Sequence, residues 1–211
     1  MTRSETLLRK LAPFLPYLAI SIGLFLLHSA WLALLSYHAG IVILLLTDRQ
    51  GLRFWRALPE KQIGLACAAG AFGLSGGIAL YLLWPTLCVP AGFGASLSRM
   101  GLSGFGWFGF MLYFSIVNPG LEEVYWRGFL GSASHSMTLN DLLFSGYHLL
   151  VLGQFLKFPW LLLAFIVLGV AGWAWRQFTR LSDGLLVAVI SHFAADLSVI
   201  LVIHHFSAPT P

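Results

Sequence analysis

Three short stretches of this 211-residue chain carry side chains that could do chemistry. The first holds Glu122, Glu123 and Arg127, the second His148, the third His192 and Asp196. All lie in apolar context, where a charge near a membrane helix centre costs about 2.5–3.5 kcal/mol on insertion scales. Ionisable groups kept there are functional-site candidates by default, facing a bundle interior or a wet cavity. A carboxylate in such a setting can serve as general base or acid near neutral pH. A nearby histidine can share the same water, and a second can donate to a developing oxyanion. That combination fits water-mediated hydrolysis of an amide. Glutamate with two histidines is also a catalytic zinc set in some hydrolases, so Glu122, His148 and His192 are the alternative metal ligands. The chain has no HExxH, so zinc is not favoured by motif and no cofactor is required.

Spacing sharpens the grouping. Glu123 and Arg127 stand i,i+4 on one helix, which favours an ion pair, and a purely structural pair is as good a reading as a chemical one. Glu122 is turned by about 100° from Glu123 and is expected to face a different partner. His192 and Asp196 are also i,i+4. The segments Glu122-Glu123-Val124-Tyr125-Trp126-Arg127, Phe144-Ser145-Gly146-Tyr147-His148 and His192-Phe193-Ala194-Ala195-Asp196 match EExxxR, FxxxH and Hxxx[ND] in that order. In this the chain resembles the CAAX protease and bacteriocin-processing (CPBP, or Abi) family of intramembrane proteases, over roughly Phe105 to Ile203. The resemblance implies an all-helical membrane protease with Glu122 as the base that activates water and His148 sharing that water. It implies His192 and Asp196 as the oxyanion-side or orienting pair, with Glu123 and Arg127 in support. The family has been described both as metalloproteases and as metal-free glutamate-type proteases, and two adjacent glutamates with a nearby arginine favour the metal-free form. Asp196 stands where many relatives have Asn. An ionised Asp cannot donate to an oxyanion, so Asp196 is expected to orient His192.

The elements that position these residues follow from composition. The chain has 12 basic and 8 acidic residues, 9% charged, and is 58% hydrophobic, whereas a soluble domain carries roughly 25% charge. Soluble, disordered, collagen-like and coiled-coil classes are excluded, and the fold class is all-α: a polytopic membrane helix bundle. The net charge of +4 is spread over short loops that orient helices, with no basic stripe for nucleic acid. Cys67 and Cys88 form no disulfide framework and no CxxC site.

A span needs about 20 apolar residues. The uncharged stretch Leu11 to Thr47 is too long for one crossing and reads as two, broken near His28–Trp31 or Tyr37–Gly40. Further spans run about Ile63–Trp84, Phe105–Phe129 (kinked at Asn118-Pro119-Gly120), Leu142–Leu156, Trp160–Trp175 and Gly184–Ile203, with Pro85–Gly104 as a loop. About seven spans result, within a range of six to eight. They put the basic clusters Arg3/Arg9/Lys10, Arg49–Lys61 and Arg176/Arg180 on the cytoplasmic side. Glu122, His148 and His192 then share a depth in the cytoplasmic half. The chain reads as one integral membrane domain, 1–211, with a catalytic core at about 105–203. The expected location is the cell membrane, with N-terminus and active-site opening cytoplasmic.

Other conspicuous residues take plainer readings. Gly73 and Gly77 form a GxxxG pair suited to packing within the bundle. His28, His38, His135, His204 and His205 lack motif context and read as interfacial or packing residues. Trp31, Trp84, Trp160, Trp173 and Trp175 read as an aromatic belt. Asp141 and Asp183 are expected at loops or helix ends. The functional expectation is an endopeptidase acting on a membrane-anchored protein or peptide in the bilayer. CAAX-like, sorting-tag and bacteriocin-type processing are all open, as is oligomeric state. A non-catalytic membrane scaffold or immunity protein is the rival, and intact Glu122, His148 and His192 count against it. A proton-coupled carrier of the inverted-repeat type gains no support, since no internal repeat is visible.

Overall fold

The computed structural model describes residues 8–47 and 62–207. Among these every regular element is helical, as expected where lipid leaves each helix to satisfy its own backbone polar groups. In chain order the helices are α1 (Leu8–Leu26), α2 (Ala30–Thr47), α3 (Ile63–Thr86), α4 (Phe93–Arg99), α5 (Gly104–Phe129), α6 (Leu139–Leu152), α7 (Phe158–Ser182) and α8 (Leu186–Ser207). Arg3, Glu5, Asp48, Arg49, Arg53, Arg56, Glu60 and Lys61, on which the inside placement partly rests, lie outside the described residues.

Five helices, α1, α2, α3, α7 and α8, are long and apolar enough to cross a membrane. Helix α4 with α5, bent by 87°, makes a sixth when counted as one broken span. The difference from seven lies in α6. Its 14 residues reach about 21 Å, short of the roughly 30 Å hydrocarbon core. The segment read as a loop after Ile63–Trp84 contains α4. The long apolar N-terminal stretch breaks at the first of the two places expected. His28 there has a left-handed φ of 49°, and the Ser29 hydroxyl accepts from the Leu32 N–H at 3.2 Å, capping α2.

Helix α3 lies along α8 through its glycines. A Cβ on Gly73 would sit 2.0 Å from the Ser191 carbonyl oxygen, and one on Gly77 2.4 Å from Ser198 Cβ. The small face is thus used for packing within the bundle. It meets α8 one residue before His192, so this close approach sets the depth at which that histidine is held.

A second polar centre fixes the end of the bundle near α6. Asp141 and Arg176, expected at a loop and a basic helix end, are buried, 4% and 3% exposed. Arg176 donates from Nε to Asp141 Oδ1 at 3.1 Å and from Nη2 to Oδ2 at 2.7 Å. It also donates to the carbonyls of Ser134 and Ser136. Asp141 accepts in addition from the Thr138 N–H and hydroxyl, both at 2.8 Å, closing a capping box on α6. Burial alone pushes the Asp141 carboxyl up, but Arg176 and Thr138 outweigh it and hold it below the usual carboxylate range. A group held low in the fold adds stability above its unfolded range and loses it as pH falls through the lowered value.

Two outcomes follow from this packing. Gly73→Ala should lower unfolding stability in detergent by about 1–3 kcal/mol, whereas Gly76→Ala, with open space at its Cβ, should stay within about 0.5 kcal/mol. Asp141→Asn should lower the melting temperature at neutral pH. Its deficit against wild type should shrink on acidification below about pH 4; a constant deficit across that range would contradict the ionic clamp.

Candidate active site

Helix α5 carries Pro119 inside it. It runs on to Glu122 and then widens into π-type turns over Glu123–Phe129, with the Leu130 N–H bonded to the Tyr125 carbonyl at 2.8 Å. Such turns are rare and concentrate at functional sites. The segment is enclosed on all sides, and every residue from Glu122 to Arg127 is buried. The two acids have separate principal partners, as expected, Glu122 the hydroxyls of Tyr37 and Tyr147 and Glu123 the guanidinium of Arg127, and they also share one histidine. His192 Nδ1 lies 2.8 Å from Glu123 Oε1, and Nε2 lies 3.6 Å from Glu122 Oε2. Asp196 Oδ1 stands 3.4 Å from the same Nε2.

Glu122 is fully buried and surrounded by uncharged donors. Its Oε1 accepts from the Tyr37 hydroxyl at 2.8 Å and from the Tyr147 hydroxyl. Its Oε2 has only long contacts, with Asn118 Nδ2 at 3.5 Å and His192 Nε2 at 3.6 Å. One oxygen is anchored and the other is the one free to take a proton. Trp126 Nε1 donates to the Tyr37 oxygen at 2.9 Å, so the phenol that holds Glu122 is itself held.

Glu123 takes the cation. Arg127 Nη1 donates to Glu123 Oε1 at 3.1 Å, both side chains being buried. The guanidinium carbon lies 4.3 Å from the Phe144 ring centroid and 5.1 Å from that of Trp175, within cation–π range. Gly172 clears the space, since a Cβ there would stand 3.0 Å from Arg127 Nη2. The phenylalanine of FxxxH is thus a plate for the arginine of EExxxR. Trp175, read as belt, is 3% exposed. It stacks on His192 at 4.0 Å with an interplanar angle of 14°, and its Nε1 donates to Ser191 Oγ at 3.0 Å.

His148 is brought beside this cluster. Its Nδ1 lies 2.8 Å from the Phe144 carbonyl, which can only accept, so the proton sits on Nδ1 and Nε2 carries the lone pair. Its ring stacks on Tyr147 at 4.1 Å, and Tyr147 in turn touches Glu122. An apolar cavity of about 310 Å³ reaches this point, with Tyr37, Asn118, Tyr147 and His148 in its wall. Among the described residues no group of three or more His, Cys, Asp or Glu is arranged to hold a metal ion.

Several residues of the cluster escaped the sequence. Asn118 stands i,i+4 to Glu122, a visible signal that was read only as part of a kink. Tyr147 adjoins His148. Tyr37 and His38 come from α2, far away in sequence and without any motif. His38 is not interfacial: it is 3% exposed and bonded at 3.0 Å to both Tyr113 and Asn118. Removing one half of a buried ion pair costs about 3–5 kcal/mol, so Arg127→Met should destabilise the fold on that scale in denaturant unfolding. Adding Glu123→Gln should restore much of the loss; an additive pair of losses would refute the coupling.

The family model described as type II CAAX prenyl endopeptidase Rce1-like matches residues 104–198. The match begins at the start of α5 and ends two residues after Asp196, so it takes in all three motifs. No curated protein and no solved structure matches the chain. The motif resemblance is borne out over the segment that builds the cluster: residues 104–198 match the model of the Rce1-like family of CAAX-type endopeptidases.

Proposed function

We propose that this protein is an intramembrane endopeptidase that hydrolyses a peptide bond in a membrane-anchored protein or peptide, using water activated by Glu122. The observation that carries the reading is the placement of Glu122. It is a buried carboxylate with Oε1 anchored by two tyrosines and Oε2 lightly engaged. It stands next to a cavity that reaches the same tyrosines. Glu122 Oε2 takes a proton as the water oxygen attacks the scissile carbonyl carbon. The His148 Nε2 lone pair accepts the second hydrogen bond of that water. The oxyanion that develops is met by a donor from His192 Nε2, a charge-stabilising contact effective in a water-poor site. The proton on Glu122 then passes to the amine nitrogen as the C–N bond breaks. Asp196 orients His192, and Glu123 with Arg127 fixes the opposite side of the ring.

The cavity wall is apolar apart from a few groups next to Glu122. It suits a lipid-modified or strongly apolar segment close to the cleaved bond, and the CAAX prenyl endopeptidase description of the matched family fits such a substrate. The active-site end is proposed to face the cytoplasm of a cell-membrane protein. In support, the basic ends of the chain fall together. Arg9 lies over Phe129 at 5.0 Å, and Arg180 contacts His135 at 2.8 Å in the segment that follows α5.

The test is cleavage of a membrane-anchored, prenylated peptide by purified protein. Glu122→Gln and His148→Ala should each lower kcat by about a hundredfold or more, with the melting temperature retained. Wild-type cleavage by Glu122→Gln would end the proposed mechanism. A chelator should leave the rate unchanged; inhibition reversed by zinc would favour the metal-dependent form.

A further inference from the structure

Three carboxylates, Glu122, Glu123 and Asp196, surround the one imidazole of His192. Glu123 has Arg127, and Glu122 has two phenols. Asp196 is the most exposed of the three, with 13% of its side chain accessible. An ionised carboxylate cannot donate, so whatever keeps it at His192 must come from a donor elsewhere.

That donor is Asn118. Its Nδ2 lies 2.9 Å from Asp196 Oδ2 and 3.5 Å from Glu122 Oε2. The amide orientation is fixed by its other end, since Asn118 Oδ1 lies 3.0 Å from His38 Nε2. The reverse orientation would set the amide oxygen against two carboxylates. An amide oxygen only accepts, so His38 carries its proton on Nε2. Its Nδ1 then accepts from the Tyr113 hydroxyl at 3.0 Å. The bonds run in one direction: Tyr113 to His38, His38 to Asn118, Asn118 to Asp196, and Asp196 Oδ1 beside His192 Nε2. Asn118 is 4% exposed and is also part of the cavity wall. The relay therefore ends where a substrate would sit.

We propose that Tyr113, His38 and Asn118 form a positioning relay, in which the Asn118 amide is the donor that holds Asp196 against His192 and steadies the free oxygen of Glu122. The proposal rests on the endopeptidase reading of the site. Its signature is polarity. Asn118→Asp sets carboxylate against carboxylate, and Asp196→Asn, whose oxygen still accepts from Asn118, turns an NH2 group toward His192 Nε2. Exchanging the two residues restores one donor and one acceptor, and position 118 can still accept from His38.

The experiment measures kcat, KM and melting temperature on the prenylated, membrane-anchored peptide. The variants are Asn118→Asp, Asp196→Asn, the exchange of both, and Glu122→Gln. Each single change should lower kcat by about 10- to 100-fold with KM little altered. The exchange should recover at least about fivefold over the worse single variant, a coupling typical of residues in one hydrogen-bond network, and stay below wild type because position 118 no longer donates to Glu122 Oε2. An exchange as inactive as the worse single variant, or single variants with wild-type kcat, overturns the relay. So does a loss that follows melting temperature alone. With Glu122→Gln inactive, such a result leaves the endopeptidase reading standing; a fully active Glu122→Gln removes both. Should Asn118→Asp fail to fold, His38→Gln, which can still donate to the amide, should keep at least fivefold more activity than His38→Leu. Equal losses in that pair overturn the relay.

Discussion

Burying two adjacent carboxylates in a membrane bundle is the constraint on which the rest of this structure depends. Glu122 and Glu123 are both fully buried, and an unpaired charge there would be neutralised or would break the fold. Each must therefore be met by partners, and most of these come from other helices. Tyr37 comes from α2, Tyr147 from α6, His192 and Asp196 from α8, and Arg127 from the same helix one turn on. The polar centre thereby ties together four helices whose apolar surfaces give little directional preference. In lipid there is no hydrophobic drive between helices, so such bonds and close glycine contacts carry much of the specificity.

Consecutive acids converge on one imidazole through the reach of their side chains. Glu122 and Glu123 both have ordinary helical dihedrals, φ −66° and ψ −41°, which set them about 100° apart. They meet His192 from opposite ring nitrogens. The enclosing residues are largely aromatic. Trp126 stacks on Tyr147, Tyr147 on His148, and Trp175 on His192. Flat rings set the planes of both histidines without adding charge, while the Phe144 carbonyl sets the tautomer of His148.

Much of this was legible in the sequence because charge is so scarce. With 9% charged residues, Glu122, Glu123, Arg127 and Asp196 stood out by type alone, and i,i+4 spacing paired two of them with the right neighbours. The all-helical class followed from composition, and the glycine face of α3 from Gly73 and Gly77. The rest depends on contacts between distant segments, which local patterns do not carry. Uncharged partners such as Tyr37 and Tyr113 look like any apolar-helix tyrosine. His38 gives no sign of its partner Asn118, 80 positions away. Trp175 falls near a span end in sequence yet lies inside, because α7 continues to Ser182. Asp141 and Arg176 were taken for boundary charges for the same reason: burial is decided by the neighbours of a helix end. The count of six, with α4 and α5 taken as one broken span, falls at the low end of the expected six to eight, since α6 is apolar but short.

The two glutamates, identical in type and adjacent, are given opposite electrostatic surroundings. Glu123 receives the guanidinium of Arg127, itself kept in place by the faces of Phe144 and Trp175. Glu122 receives phenols and an amide, all neutral. Placing the arginine four residues after Glu123, and not after Glu122, assigns the fixed charge to the supporting acid. The acid beside the cavity keeps one oxygen with only long contacts. The order of the letters in EExxxR is thus a division of labour: the second glutamate and the arginine form the rigid pair, and His192 couples that pair to the first.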